Sequence, residues 1–337
     1  MNEPVFHRDI VVIGGSLGAP QALQILLAKL PVMPEAAVFV VLHMPPYGGG
    51  ISATVRMAAA HHSVVEAQHG MDIEPGRIYL AVPDRHLMLE RGRIALGRGP
   101  RENLSRPSID ALFRSAAMHY GPRVIGVVLS GMLNDGSAGL HAVRRCGGVA
   151  LVQDPADALA GDMPTNALRA VEVDACAPAS QLPELIVRRV REPAGQGPPI
   201  PDDLRFEVDV AMGGRSDPDR LASAAVPSPV TCPSCGGVMS EMKGDGPLRY
   251  RCQVGHAMTA DVLAREQESA VDEALRVALR MVEERAELVA RMAADALRHQ
   301  RLAIAEGYRK RSDEYRRHAE TIRRAVLASM ERDGGVA

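Results

Sequence analysis

The sequence predicts an α/β fold with a doubly wound, mostly parallel sheet, followed by a small zinc-ribbon-like module and an α-helical hairpin. Short β-branched runs alternate with amphipathic stretches across residues 9–191, the pattern of a parallel sheet covered by helices on both faces. Three cysteines and a histidine then fall within residues 232–256. Beyond Thr259, apolar residues recur at spacings of three and four with no proline.

The first strand is expected at 10–13, where Ile-Val-Val-Ile is wholly β-branched. Further strands are expected at 38–42, 78–81, 124–129, 149–153 and 173–176. Helices are expected at 20–30, 51–60, 108–119, 137–146, 165–171 and 181–191. Residues 86–89 and 93–96 flank Arg91-Gly92 as a hairpin. Residues 192–230 are rich in Pro, Gly, Ser and Asp and read as a linker, within which the apolar alternation at 204–210 allows one short strand. Residues 231–258 form the Cys/His element. The hairpin occupies 259–332. Thr259 can cap its first helix, with Asp261 in the first turn, and Val271, Leu275, Ala278, Val282, Ala286, Val289, Ala293 and Ala296 form a stripe. A second helix is expected from Ser312, with Tyr315, Ala319, Ile322 and Val326 as its stripe. The boundaries are therefore 1–191, 192–230, 231–258 and 259–332.

Composition narrows the function classes. A net charge of −2 over 337 residues gives no global case for nucleic acid or an anionic membrane surface. No apolar run reaches about 18 residues, so no membrane insertion is expected, and no secretory signal is seen. Five cysteines, three of them clustered, suit metal binding in a reducing cytoplasm better than a disulfide framework. Cys146 and Cys176 follow apolar stretches and are expected in the core.

Three expected strand ends carry polar groups: Ser16 after the first, His43 after the second, and Asp135 beyond the strand at 124–129. In parallel α/β sheets, ligands and catalytic groups gather at the carboxyl ends of strands. A nucleophilic serine needs a base near its hydroxyl and an acid that orients the base, and these three residues could supply that set. Each alone is a common turn or cap residue. Gly14-Gly15-Ser16-Leu17-Gly18 fits the G-x-S-x-G nucleophile elbow. In α/β-hydrolases, however, that elbow follows several earlier strands, and the order here is Ser, His, Asp. A dinucleotide fingerprint needs glycine at Ser16 and an acid at His43.

The segments Val12-Ile-Gly-Gly-Ser16-Leu-Gly-Ala, Leu42-His43-Met44-Pro45, Arg106-Pro-Ser-Ile-Asp110, Leu129-Ser-Gly-Met132-Leu-Asn-Asp135-Gly136 and Asp162-Met163-Pro164 resemble, in order, the catalytic domain of the chemotaxis protein-glutamate methylesterase (CheB) family. The resemblance covers roughly residues 8–190. It implies that Ser16 is the nucleophile, His43 the base and Asp135 the residue that orients the base. It also implies an oxyanion hole from backbone N–H groups of Leu17 and Met132. Ser108 reads most simply as a helix cap. Leu17 and Ala19 depart from the commoner residues of the serine motif. No room is left for the family's usual N-terminal receiver domain, so a receiver-less form is expected.

Cys232-Pro-Ser-Cys235 and Cys252-Gln-Val-Gly-His256 supply four ligands at a spacing suited to a structural zinc ion. Similar ribbons with helical tails occur in some receiver-less members of the family. The expectation is a cytoplasmic serine esterase acting on glutamyl methyl esters of methyl-accepting chemoreceptors, and on some receptor glutamines by deamidation. It needs no catalytic cofactor, and other chemosensory proteins could bind through the tail. The alternative is a non-catalytic chemosensory scaffold that binds a receptor or partner protein.

Overall fold

In the computed structural model, which describes residues 6–44, 51–59, 61–214 and 216–333, the chain begins with β1 (Ile10–Gly15), α1 (Ala19–Lys29), β2 (Ala37–Leu42), α2 (Ile51–Ala58), β3 (Ser63–Glu66) and β4 (Arg77–Leu80). A hairpin of β5 (His86–Glu90) and β6 (Arg93–Gly97) follows. After it come α3 (Ile109–Tyr120), β7 (Val124–Val128), α4 (Ser137–Arg145), β8 (Val149–Gln153), α5 (Asp162–Ala170), β9 (Ala175–Ala177) and α6 (Leu182–Val190). Pro45 of the histidine motif and Ala60 at the end of an expected helix lie outside the described residues.

Seven strands form one wholly parallel sheet in the order β3-β4-β2-β1-β7-β8-β9. The expected doubly wound architecture holds, because the central strands bury both faces. Val11, Ile13, Val38 and Val40 pack with α1, α2 and α6, while Ile10, Val12, Phe39 and Val41 pack with α3, α4 and α5. Gly14 lets α3 sit against β1: a Cβ there would lie 2.1 Å from Ile109 Cγ2. The chain leaves β1 for β2 on one side and later returns to β7 on the other. The switch point therefore lies between the carboxyl ends of β1 and β7, where open sheets place their ligands.

Two expectations are corrected here. No strand is expected at 63–66, but β3 forms there as a four-residue edge strand whose residues are only half-buried or exposed, so it carries little apolar signal. Cys176 is exposed, not in the core, because it points outward from the edge strand β9, whereas Cys146 is buried.

Within the stretch expected as a linker, two helices form: α7 (Asp202–Met212) and α8 (Pro218–Ala224). The expected strand at 204–210 is thus a helix. Its apolar alternation comes from burial on two sides. Leu204, Val208 and Ala211 enter the main core, while Phe206 and Val210 enter a smaller one with Leu221 and Met242. Next come β10 (Ala225–Thr231), β11 (Val238–Met242), β12 (Arg249–Cys252) and β13 (Ala257–Thr259), an antiparallel sheet in that order.

A buried ionic cluster joins this sheet to α3 and α7. Glu207 of α7 accepts from Arg249 (2.6 and 2.9 Å) and Arg251 (3.1 Å) and pairs with Arg114 of α3 (3.3 Å). Glu102 accepts from Arg251 (3.1 Å) and from Arg114. Burial alone would raise the Glu207 carboxyl, but Arg249, Arg114 and Arg251 outweigh it and hold it well below the carboxylate range.

Residues 1–263 form one compact unit and 264–337 another. The second contains most of α9 (Ala260–Arg298) and all of α10 (Leu302–Asp333). The second helix starts ten residues before the expected Ser312. Ser312 is not a cap, because its hydroxyl donates across the hairpin to the Ala286 carbonyl at 2.9 Å. The turn comes instead at Gln300, with φ +57°. Ala286, Val289, Ala293 and Ala296 of the expected stripe are buried, while Val271 is exposed. No described helix is long and apolar enough to cross a membrane.

Candidate active site

Ser16 follows β1 at the switch point and is half-buried. Its N–H donates to the Ser130 carbonyl beyond β7 (2.9 Å), and its own carbonyl accepts from Ala19 at the start of α1 (3.0 Å). The turn between them requires Gly18, at φ +78°. The Ser130 hydroxyl donates to the Leu17 carbonyl (2.7 Å), which ties the serine loop to the loop after β7. Gly131 is held close: a Cβ there would lie 3.0 Å from Ser16 Cβ and 2.7 Å from Met163 Cε. Leu17 and Met132 thus flank Ser16 from two loops. Among the described residues no acceptor engages either backbone N–H. Free N–H groups beside a nucleophile suit a developing oxyanion.

His43 continues β2 past its register with β1, its N–H donating to the Gly15 carbonyl (3.1 Å). Its Nε2 lies 2.8 Å from Asp135 Oδ2. That contact leaves Nδ1 as the basic nitrogen, and the Ser105 hydroxyl lies 3.3 Å from it.

Asp135 is buried between α3 and α4 and stands at the N-terminus of α3. Besides His43, its carboxylate accepts from Ile109 N–H (2.7 Å), Asp110 N–H (3.3 Å), the Ser108 hydroxyl (3.0 Å) and the Asn103 amide (3.0 Å). Ser108, read from sequence as the cap of α3, donates to Asp135 instead, and the Asp135 carboxylate takes the helix N–H groups. Asp110 returns the arrangement, accepting from Gly136 (3.0 Å) and Gly139 (2.6 Å) at the start of α4. α3 is thus capped by the carboxylate that precedes α4, and α4 by one from the first turn of α3.

Burial would raise the Asp135 carboxyl, but the hydrogen bond to His43, the His43 charge, the Asn103 amide and the Ile109 N–H prevail and hold it well below the usual range. Asp110 moves the other way, to about 7, through burial and the Asp135 charge. Asp135 thus keeps the negative charge that an imidazolium needs beside it. Buried His86 steadies this corner, its Nδ1 accepting from Ser108 N–H (3.2 Å) and its Nε2 bonding to the Pro100 carbonyl (3.0 Å).

The geometry brings His43 and Asp135 into contact and sets Ser16 on the adjacent strand end. A profile of the CheB methylesterase family matches residues 11–186. The chain belongs to that family. A protein-glutamate methylesterase/protein-glutamine glutaminase of Myxococcus xanthus is 40% identical over 190 residues, which are 55% of this chain and 54% of that protein. One from Methanosarcina mazei is 36% identical over 200 residues, 57% of this chain and 54% of that protein. A putative protein of the same name from Leptospira interrogans is 34% identical over 183 residues, covering 95% of its length. The chain spans about half the length of the first two relatives. Among solved structures, the CheB methylesterase catalytic domain of Thermotoga maritima matches with a TM-score of 0.51 and 31% identity, over 54% of this chain and 99% of that one.

Two residues that touch Asp135 and His43, and that no sequence signal marks, are Asn103 and Ser105. They stand just before Arg106, in a loop where Asn103 and Leu104 have φ +46° and +66°. Left-handed backbone at non-glycine residues is the one local signal of a constrained site, and it is invisible in sequence.

A second cluster lies in the antiparallel sheet. Atoms of Cys232, Cys235, Cys252 and His256 that could ligate a metal all lie within 4.8 Å of one another. Cys235 Sγ and Cys252 Sγ are 3.7 Å apart, and His256 Nδ1 lies 3.6 Å from Cys252 Sγ and 3.8 Å from Cys232 Sγ. A tetrahedral ion with bonds of about 2.3 Å needs ligand atoms about 3.8 Å apart, so this set fits zinc. Two glycine turns shape it: Gly236 N–H donates to the Cys232 carbonyl (2.8 Å) and Gly255 N–H to the Cys252 carbonyl (2.9 Å).

Proposed function

We propose that the chain is a serine esterase that hydrolyses glutamyl methyl esters on methyl-accepting chemoreceptors. It would work in the cytoplasm, with residues 1–191 as the esterase domain. The observation that carries this reading is the buried, negatively charged Asp135 on His43 Nε2, with Ser16 on the neighbouring strand end. Ser16 Oγ attacks the ester carbonyl while His43 Nδ1 takes its proton. The oxyanion forms against the Leu17 and Met132 N–H groups. His43 then protonates the departing methoxide, releasing methanol and leaving Ser16 acylated. Water, deprotonated by His43, attacks the acyl-enzyme and frees the glutamate. A glutamine side chain would follow the same course with ammonia as the leaving group. Asp135 holds the imidazole in one tautomer and stabilises its cation.

Methanol release from methylated receptor membranes tests this reading. The full chain is expected to release methanol, and Ser16→Ala to lose the activity by a factor on the order of 10⁴ or more. Equal release by both proteins, or by neither, would overturn it.

Cys232, Cys235, Cys252 and His256 would hold a structural zinc ion that supplies folding energy to the module and takes no part in the chemistry. One zinc per chain is expected on gentle purification, and loss of most of it in Cys232→Ser. A metal-free native protein would sink the assignment.

A further inference from the structure

The backbone N–H and both side-chain polar atoms of Asn103 are engaged, with the buried carboxylates of Asp135 and Asp110 on one side and the Cys/His module on the other. Its side-chain amide donates to Asp135 Oδ1 and to Asp110 Oδ2, each at 3.0 Å. Its backbone N–H donates to the Ala257 carbonyl (2.8 Å), and its Oδ1 accepts from Thr259 N–H (3.1 Å). Both module residues lie on β13, which meets the 102–105 loop through a parallel bridge between Glu102 and Ala257.

The loop after β7 is held from the same place. The Thr259 hydroxyl donates to Asn134 Oδ1 (2.7 Å), and the Asn134 amide donates to Asp261 Oδ2 (3.1 Å), one residue before Asp135. Leu104 and Leu133, adjacent to these two asparagines, pack onto the module's small core of Cys232, Met239, Cys252 and Met258. Both have φ above +60°. Such backbone persists where the surroundings over-determine it, and here the surroundings are the module. Two residues beyond Asn103, Ser105 reaches His43 Nδ1.

We propose that the Cys/His module is a positioning element for the esterase site, with Thr259 as the residue that fixes both loops that orient Asp135 and His43. The inference rests on the esterase reading for its catalytic consequence. The geometric coupling stands apart from that reading. Simple docking of two folded parts would need only apolar contact. Here polar contacts of β13 reach Asn103, whose amide is one of the donors to Asp135, and Asn134, the residue that precedes Asp135.

The test compares Thr259→Val and Thr259→Ser in the full chain. Thr259→Val loses the hydroxyl's bond to Asn134 and the longer one it accepts from Val262 N–H at the start of α9 (3.5 Å), which should lower kcat roughly tenfold with KM unchanged, and Thr259→Ser should restore it. The His43 ring resonances in NMR should shift in the valine variant and return in the serine variant. Unchanged kcat and resonances in Thr259→Val would overturn the proposal. So would a loss confined to KM, or an equal loss in both variants. Should the valine variant fail to fold, Asn134→Ala removes the same bond from the other side, together with the amide's bond to Asp261, and its kcat, KM and His43 resonances are read in the same way. A native protein without esterase activity, whose His43 resonances still move in Thr259→Val, would defeat the esterase reading and leave the coupling intact.

Discussion

Asp135→Asn is expected to lower methanol release by roughly 10⁴-fold at neutral pH with little change in substrate binding. Two effects combine. The amide cannot carry the charge that stabilises the His43 cation. Nor can it accept on all sides, because Oδ1 takes bonds from Asn103, Ser108 and Asp110 N–H and Oδ2 from His43 and Ile109 N–H. Whichever way the amide turns, its NH₂ faces buried donors. That conflict costs about 1–3 kcal/mol of stability as well. The Asp135 carboxyl is held below its unfolded value, so its contribution to stability is present above the ordinary carboxylate range. It is lost only as pH falls through that range toward strong acid. The variant should therefore show a smaller loss of stability on acidification. Rates and urea midpoints measured together check this, and a variant with native kcat would remove Asp135 from the mechanism.

Glu207→Ala should be the most destabilising single change outside the catalytic residues, by on the order of 3–5 kcal/mol. It leaves Arg249 without its bidentate partner and Arg114 and Arg251 sharing Glu102, with Asp110 4.0 Å from Arg114. Arg251 is fully buried and Arg114 nearly so, so water cannot replace the lost carboxylate. Glu284→Ala provides a comparison, since Glu284 pairs with Arg280 on the exposed face of α9 and should cost about 0.5 kcal/mol or less. Equal denaturation midpoints for the two variants would show that the cluster contributes nothing particular.

How far the sequence discloses this molecule depends on the range of the interactions involved. The central strands were legible because burial on both faces forces continuous β-branched runs. Ser16, His43 and Asp135 could be singled out because strand ends are where polar residues interrupt those runs. The helix α7 was misread because its two buried faces produce an apolar residue at every second position, which is also what a strand produces. The capping of α3 was misread because Ser108 stands in the right place, and only the fold brings a stronger acceptor, Asp135, to the same N–H groups. The start of α10 was misread because Ser312 looks like a cap, although its partner is a carbonyl 26 residues away. Asn103 and Ser105 carry no motif, and Thr259 shows only the signal of a helix cap, whose hydroxyl also accepts from Val262 N–H. Their roles arise from contacts 32, 62 and 125 residues away, with Asp135, His43 and Asn134.

The Glu102 side chain bears on how the protein can be dissected. Composition invites a cut near residue 191, just past α6, where the proline-rich stretch begins. A fragment ending there would keep Glu102 and Arg114 but lose Glu207, Arg249 and Arg251. It would also expose Leu87, Leu89 and Met88, which share the core with Leu204 and Val208 of α7. A weak or insoluble fragment of that kind would say nothing about inhibition or activation by the missing half. A cut after residue 263 severs none of these partnerships, and it is the place to divide the chain when the influence of the helical hairpin is to be measured by itself.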